Sequence, residues 1–265
     1  MLWALLAGQS IAAMAQNPKQ FVERAVQTEL AADRDDHSRW LYFDFDRRPG
    51  NSVKQWVADT GQGSLHRVLV QNGQPVPVDA QRARMDRFIH NPQAQAKQHK
   101  SGEHDDEQAE EMLKLLPNAF VWSITSTHNN QTTLHFRPDP DFQAPDWETR
   151  VFAAMEGDLT VDNSQLRIVS LKGRLIHDVK FAWGLLGDLK AGGTFDVERR
   201  ETGPSVWQIT ETHIHIQGNA LLFKDISQIE DEDKSQFKPL PSQISWSEAE
   251  AELMKQETTV AAAGR

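Results

Sequence analysis

The residues of this chain best suited to chemistry are Glu211, His213 and His215. Side chains two apart on a strand point the same way, so the carboxylate and both imidazoles share one face. These groups are zinc ligands, and a tetrahedral site needs three or four of them. The sequence nominates no further ligand, and a hydrolytic metal centre also requires an open coordination position and a base. The competing reading is a solvent-facing polar row opposite Thr212, Ile214 and Ile216, the common state of a sheet with one wet side. Asp44 and Asp46 read as the outer face of another strand. Glu230-Asp231-Glu232-Asp233 reads as a charged loop without the glycine and ligand spacing of a calcium hand. No G-x-S-x-G elbow, phosphate-binding loop, H-E-x-x-H or dinucleotide fingerprint occurs. Carboxylates paired only in space leave no such trace, but the expectation is a non-enzymatic protein with no catalytic residue, bound metal or cofactor.

A second group is apolar. Phe181 and Trp183 share one face of a strand, Trp207 and Ile209 one face of another, and Phe152 and Phe195 fall on strands nearby in order. Together they form either a greasy wall for a hydrophobic ligand or an ordinary sheet core. Which one holds depends on whether helices fill the hollow. Gly184-Leu185-Leu186-Gly187 places two leucines at a hairpin tip, where polar residues are normal; the tip either contacts a membrane or partner or folds back over the sheet.

These residues must be held by strands. Asn17-Pro18 is a sound helix start, and Asn17 to Leu30 carries a helical apolar stripe. Trp40 to Phe45, Ser52 to Ala58 and Leu65 to Val70 read as strands, the last followed by the hairpin turn Asn72-Gly73. Residues 79 to 117 break this pattern with a helical insertion. Gln81 to His90 and Glu107 to Leu116 are its helices, Pro117 its stop, and Asn91 to Asp106, with His99 and His104, an exposed polar stretch. Phe120 to Thr127, Thr132 to Arg137, Arg150 to Met155, Asp158 to Val161, Leu166 to Ile176, Val179 to Trp183, Thr194 to Arg199, Val206 to Ile216 and Ala220 to Ile226 then read as strands. Asp162-Asn163, Ala191-Gly192-Gly193, Thr202-Gly203-Pro204 and Gly218-Asn219 read as turns. Strands joined by short turns are antiparallel neighbours. Ser245 to Gln256 closes the chain as a helix, ahead of a frayed tail from 258 to 265. The fold class is therefore α+β, mainly β: a large, curved antiparallel sheet, an unclosed barrel, with covering helices. It is read as one domain over 16–257.

Composition narrows the partners. A net charge of −10 disfavours nucleic acid, whose phosphates require a basic surface. The absence of cysteine removes thiol catalysis, a cysteine zinc site, disulfides and a lipobox anchor. Met1 to Ala15 is apolar and ends in Ala13-Met14-Ala15, the small-residue pattern of a signal-peptide cleavage site, although no Lys or Arg precedes Leu2. A signal peptide over 1–15 implies a periplasmic or secreted protein. No other stretch approaches the length of a transmembrane helix.

The order of elements resembles the LolA/LolB-like lipoprotein-carrier superfamily, and more narrowly exported bacterial proteins related to it. The matching text is Phe136 to Phe142, Met155 to Asp162, Arg167 to Leu175, Val179 to Gly184, Gly192 to Phe195, Trp207, and His213 to Phe223, covering roughly residues 118 to 226. The resemblance implies an unclosed barrel with an apolar concave face, capped by helices, that accepts acyl chains. In those carriers an arginine near the lid helps hold it closed; no position here is matched to it. The functional expectation is a carrier-type protein for a lipid or other apolar ligand, bound by Phe152, Phe181, Trp183, Phe195, Trp207 and Ile209. A metal-dependent hydrolase at Glu211, His213 and His215, or a cell-envelope scaffold docking a partner protein, is the alternative.

Overall fold

The computed structural model describes residues 17–181, 187–219 and 228–258. The expected signal peptide, Trp183, the Leu185-Leu186 tip, the strand expected at Ala220 to Ile226, and the tail beyond 258 lie outside them. The described chain runs α1 (Pro18–Asp35), β1 (Arg39–Arg48), β2 (Asn51–Thr60), β3 (Gly63–Gln71), β4 (Gln74–Pro75), α2 (Val78–Ile89), α3 (Pro92–Ala119), β5 (Phe120–His128), β6 (Gln131–Pro138), α4 (Trp147–Phe152), β7 (Met155–Asp162), β8 (Ile168–Leu175), β9 (Val179–Phe181), β10 (Gly187–Leu189), β11 (Thr194–Gly203), β12 (Val206–Ile216), β13 (Gly218–Asn219), β14 (Gln228–Leu240) and α5 (Trp246–Lys255).

Eleven strands form one antiparallel sheet in the order β4-β3-β2-β1-β14-β12-β11-β8-β7-β6-β5, not closed into a barrel. Tight turns do most of the joining. Asn72 and Gly73 both take left-handed backbone angles between β3 and β4, as do Asn129 and Asn130 between β5 and β6. A small sheet of β13-β10-β9 stands apart.

Three expectations change. Glu230 to Asp233 is no loop but the middle of β14, the strand that joins the N-terminal hairpins to the rest of the sheet. Phe152 lies in α4, because the Asp146 side chain accepts from the Thr149 backbone N–H and starts a helix where alternation suggested a strand. Gly218-Asn219 is strand β13 rather than a turn. In addition α3 is continuous from Pro92, capped by Asn91, and carries Pro117 within its last turn.

Apolar residues face opposite ways in the two halves of the sheet. From β5 to β8, Phe120, Leu134, Phe136, Leu159 and Leu175 join Phe21, Val22, Ala25 and Val26 of α1 and Leu116 of α3 in one core. On β1 to β3, Leu41, Phe43, Trp56, Leu65 and Leu69 join Met85 of α2 and Ala249 and Leu253 of α5 in another. Directly paired residues share a face, so register relates the two. Leu159 pairs with Leu171, Leu171 with Val197, Val197 with Thr212, Thr212 with Glu232 and Glu232 with Asp46. Asp46 lies on the side of β1 opposite Phe43, since side chains alternate. The helices α1 and α3 therefore cover one face, here called inner, and α2 and α5 the outer one.

Each core is pinned by a buried polar group. On the outer face the Arg67 guanidinium donates to Gln81 Oε1 at 2.8 Å and to the carbonyls of Leu253 and Gln256 at 2.6 and 2.9 Å, tying α2 and the end of α5 to β3. On the inner face Glu29 of α1 is 3% exposed. Its carboxylate accepts from the Ile168 backbone N–H at 2.5 Å and meets Arg167 at 3.0 Å and Arg199 at 2.5 Å. Burial pushes the Glu29 pKa up, but the charges and hydrogen bonds of Arg199 and Arg167 outweigh it and hold the group below its ordinary 4.5. That stability is present above pH 4.5 and lost as pH falls through the lower folded value. Glu29→Ala is expected to cost about 3–5 kcal/mol, because it strands the buried Arg167 guanidinium and the half-buried one of Arg199. Urea denaturation at neutral pH measures this, and a loss under about 1 kcal/mol would show the pair contributes only at surface-bridge level.

Candidate ligand site on the inner face of the sheet

One row of cross-strand neighbours shows where the inner face changes character. Ile124, Leu134, Leu159, Leu171 and Val197 run from β5 to β11; Thr212, Glu232 and Asp46 continue the row across β12, β14 and β1. The apolar end meets α1. Beyond Thr212 the row is polar, and the helices that pack on β2 and β3 do so from the other side.

The next rows deepen this polar wall. Lys234, Asp44 and Gln55 stand side by side on β14, β1 and β2, and Tyr42 pairs with Val57, which pairs with His66. Asp59 pairs with Ser64, whose hydroxyl donates to it at 2.8 Å. Lys234 reaches Glu232 at 3.0 Å and lies 5.8 Å from the Tyr42 ring. Tyr42 stacks on Phe237, with centroids 5.3 Å apart, and Phe237 meets Trp40 edge-on.

Asp44 is the anomaly. It is 3% exposed, and its Oδ2 accepts from Gln55 Nε2 at 2.7 Å. Its Oδ1 is buried with no hydrogen-bond partner. A buried carboxylate oxygen left unsatisfied is costly and rare. Burial, with Glu232 and Asp46 adding to it against Gln55 and Lys234, pushes the Asp44 pKa up to about 6. Burial likewise raises Asp59, against Ser64, Lys234 and Arg39. Tyr42 is raised well above 10.0 by burial and then by Asp59, Asp44 and Glu232, so it stays a neutral donor. His66 is pushed down to about 4 by burial and then by Lys234. The residue itself is exposed.

The expected apolar set divides. Phe152 packs against Phe120 at 5.0 Å, and Phe152 and Phe195 both border the α1 core. Trp207 is half-buried and donates its indole N–H to Gln165 at 3.1 Å. Ile209 pairs with Arg199, whose guanidinium reaches α1, so Ile209 lies on the inner face; it is 41% exposed. The Phe181 backbone pairs in β9, and its side chain, like Trp183, lies outside the described part. The polar wall itself went unread, because Asp44 passed for an outer-face residue.

Glu211, His213 and His215 do share a face, and β14 brings them the acids that looked like a loop. Ligand atoms of Glu211, His213 and Asp233 lie within 4.8 Å of one another. Asp231 meets His213 Nδ1 at 2.8 Å and His215 Nε2 at 3.0 Å. Arginines compete, since Arg200 holds Glu211 at 2.8 Å and Arg47 holds Asp233 at 2.7 Å. A separate groove of about 590 Å³ between α3 and the start of α4 is lined by His104, Glu107, Glu111 and Asp146 and contains none of these residues.

No protein-family model matches the chain, and comparison with curated proteins and with solved structures returns no match. Among the described residues no helix is long and apolar enough to cross a membrane.

Asp44 offers a direct check on the hollow. Its carboxyl rises from 3.8 to about 6, so the folded state binds this proton more tightly than the unfolded chain. The contribution to stability is full below 3.8 and lost as pH rises through about 6. Asp44→Asn is expected to stabilise the protein by about 1–3 kcal/mol at neutral pH and above, and to change little below about pH 4. Urea midpoints at the two pH values measure this; a variant destabilised at both would mean that the carboxylate is satisfied.

Proposed function

We propose that this protein binds an amphiphile, with an apolar chain and a polar head, in the hollow of its open sheet, as an exported carrier-type protein. The observation that carries the reading is Ile209, a large aliphatic side chain 41% exposed on the inner face, midway between the α1 core and a polar wall. Ile124, in the inner row on β5, is likewise 40% exposed, and apolar surface of this kind beside an incompletely covered sheet fits a binding surface. The half-buried Trp207, two residues before Ile209, extends it. The resemblance of residues 118 to 226 to lipoprotein carriers points the same way, while the polar wall favours a two-ended ligand over a purely apolar one. Ala13-Met14-Ala15 supports export. Protein recovered from the periplasmic fraction of an expressing bacterium should begin at Gln16 and release a stoichiometric amphiphile on organic extraction. Ile209→Asp should remove that molecule while leaving the melting temperature within about 3 °C. Ligand-free wild-type protein whose stability ignores added detergent monomers would end this reading.

A second reading, a divalent-cation site on the outer face, is favoured by Asp231. Accepting from His213 Nδ1 fixes the tautomer that leaves Nε2 free toward Glu211 and Asp233, the usual outer support of a metal-bound histidine. It predicts that one zinc ion raises the melting temperature and that His213→Ala abolishes the rise. An unchanged melting temperature at millimolar zinc would leave the cross-strand ion pairs as a full account of the site.

A further inference from the structure

The charges of the inner wall are unbalanced in a way that selects a ligand. Five carboxylates stand around it: Asp44, Asp46, Asp59, Glu230 and Glu232. Arg48 is taken up by Asp46 and Glu230, and Lys234 by Glu232. Asp44 and Asp59 are left with an amide and a hydroxyl as their hydrogen-bond donors. Arg39 and Lys234 act on Asp59 only through space. Asp44 is more than nine-tenths buried, lies on the inner face by register, and keeps one oxygen unsatisfied. Asp196 also has an orphan oxygen, but it is on the outer face and its other oxygen meets Lys172 at 3.0 Å. Asp44 has no cation hydrogen-bonded to it; Lys234 on the neighbouring strand acts on it only through space. Asp59, Asp44 and Glu232 bear on the hydroxyl of Tyr42, a neutral donor that also lines the wall. Ile209 on β12 is separated from β1 by β14 alone, which sets it about 10 Å from the Asp44 strand, roughly the span from an amphiphile's head to the first part of its chain.

We propose that the wall formed by Tyr42, Asp44, Asp59 and Glu232 is a subsite for a cationic head group, an alkylammonium nitrogen, whose chain lies along Ile209 and Trp207. This rests on the amphiphile-binding reading and adds the sign of the head. A primary ammonium supplies the hydrogen-bond donor and the charge that the free Asp44 oxygen lacks, while Asp59, four residues along the neighbouring strand, adds to the negative potential. An anionic head, such as a phosphate or carboxylate, would face the same uncompensated acids and be rejected.

The test is calorimetric titration of the full chain with dodecylammonium, 1-dodecanol and dodecanoate as monomers at about pH 8, where Asp44 is ionised. Dodecylammonium is expected to bind at least about tenfold more tightly than dodecanol, and dodecanoate more weakly than either. Asp44→Asn should remove most of that preference, bringing dodecylammonium affinity down toward that of dodecanol. Asp59→Asn, at a less buried position, gives the same readout if the first variant folds poorly. Equal affinity for the ammonium and the alcohol, or a preference that survives both substitutions, overturns the cationic subsite while the amphiphile reading stands. Failure of all three probes to bind overturns both.

Discussion

A single carboxylate, Glu29, decides how this sheet is filled. An antiparallel sheet of eleven strands exposes far more inner surface than one helix can cover. Something must therefore fix where the helix sits. Glu29 does so by accepting from the Ile168 N–H and from arginines on two different elements, Arg167 before β8 and Arg199 on β11. Apolar contact between α1 and the sheet has no directional preference, but a buried carboxylate with three donors has one geometry. With α1 held against β5 to β8, its apolar stripe fills that half of the inner face, and among the described residues no helix packs on β12, β14, β1 and β2 from that side. The hollow is thus a consequence of where the ion pair stands.

The outer helices belong to the same logic. Once the inner face of β1 to β3 is polar, the apolar residues of those strands point outward and need a cover of their own. The pair α2 and α5 supplies it, held by Arg67 through carbonyl oxygens and an amide rather than through a carboxylate. Solvation and pairing work differently at the two locks. Among the described residues Arg67 has no counter-ion; burial, with Arg82 nearby, lowers its pKa, but a guanidinium stays charged in proteins. Its role is to satisfy the last carbonyls of α5, groups that every helix end leaves open.

Much of the fold is legible in the sequence, because alternation and turn chemistry are local. Asn72-Gly73, the Asn17-Pro18 helix start and the run of short antiparallel strands follow from a few residues each. Alternation gives a period and says nothing of which side is inside. Alternation points Asp44 outward on the sound rule that Phe43 and Phe45 should be buried, and they are on the covered side; but that side is the outer one. The run Glu230 to Asp233 hides strand β14 because acidic residues are poor strand formers in isolation. Its stability comes from partners far along the chain, with Arg47 on Asp233, Arg48 on Glu230, and His213 and His215 on Asp231. The same distance conceals Asp233 as a companion to Glu211 and His213. Phe152 misled for a local reason, since one Asp146 cap was enough to turn an alternating stretch into a helix.

The stability of the polar wall argues for its use. A chain under selection for folding alone gains by replacing an unsatisfied buried carboxylate, and Asn at position 44 would keep the bond to Gln55 with little change of shape. The surrounding residues do not relieve the cost. The Lys234 ammonium is held by Glu232, and Asp59, Asp44 and Glu232 all bear on the hydroxyl of Tyr42. Asp44 and Asp59, whose hydrogen-bond donors are an amide and a hydroxyl while Lys234 acts on them only through space, favour a partner of positive charge. On the same face, Ile209 presents aliphatic surface that the α1 core does not cover. An apolar strip ending in an unsatisfied anionic wall, on the inner side of a sheet that does not close, makes physical sense as the two halves of one binding surface.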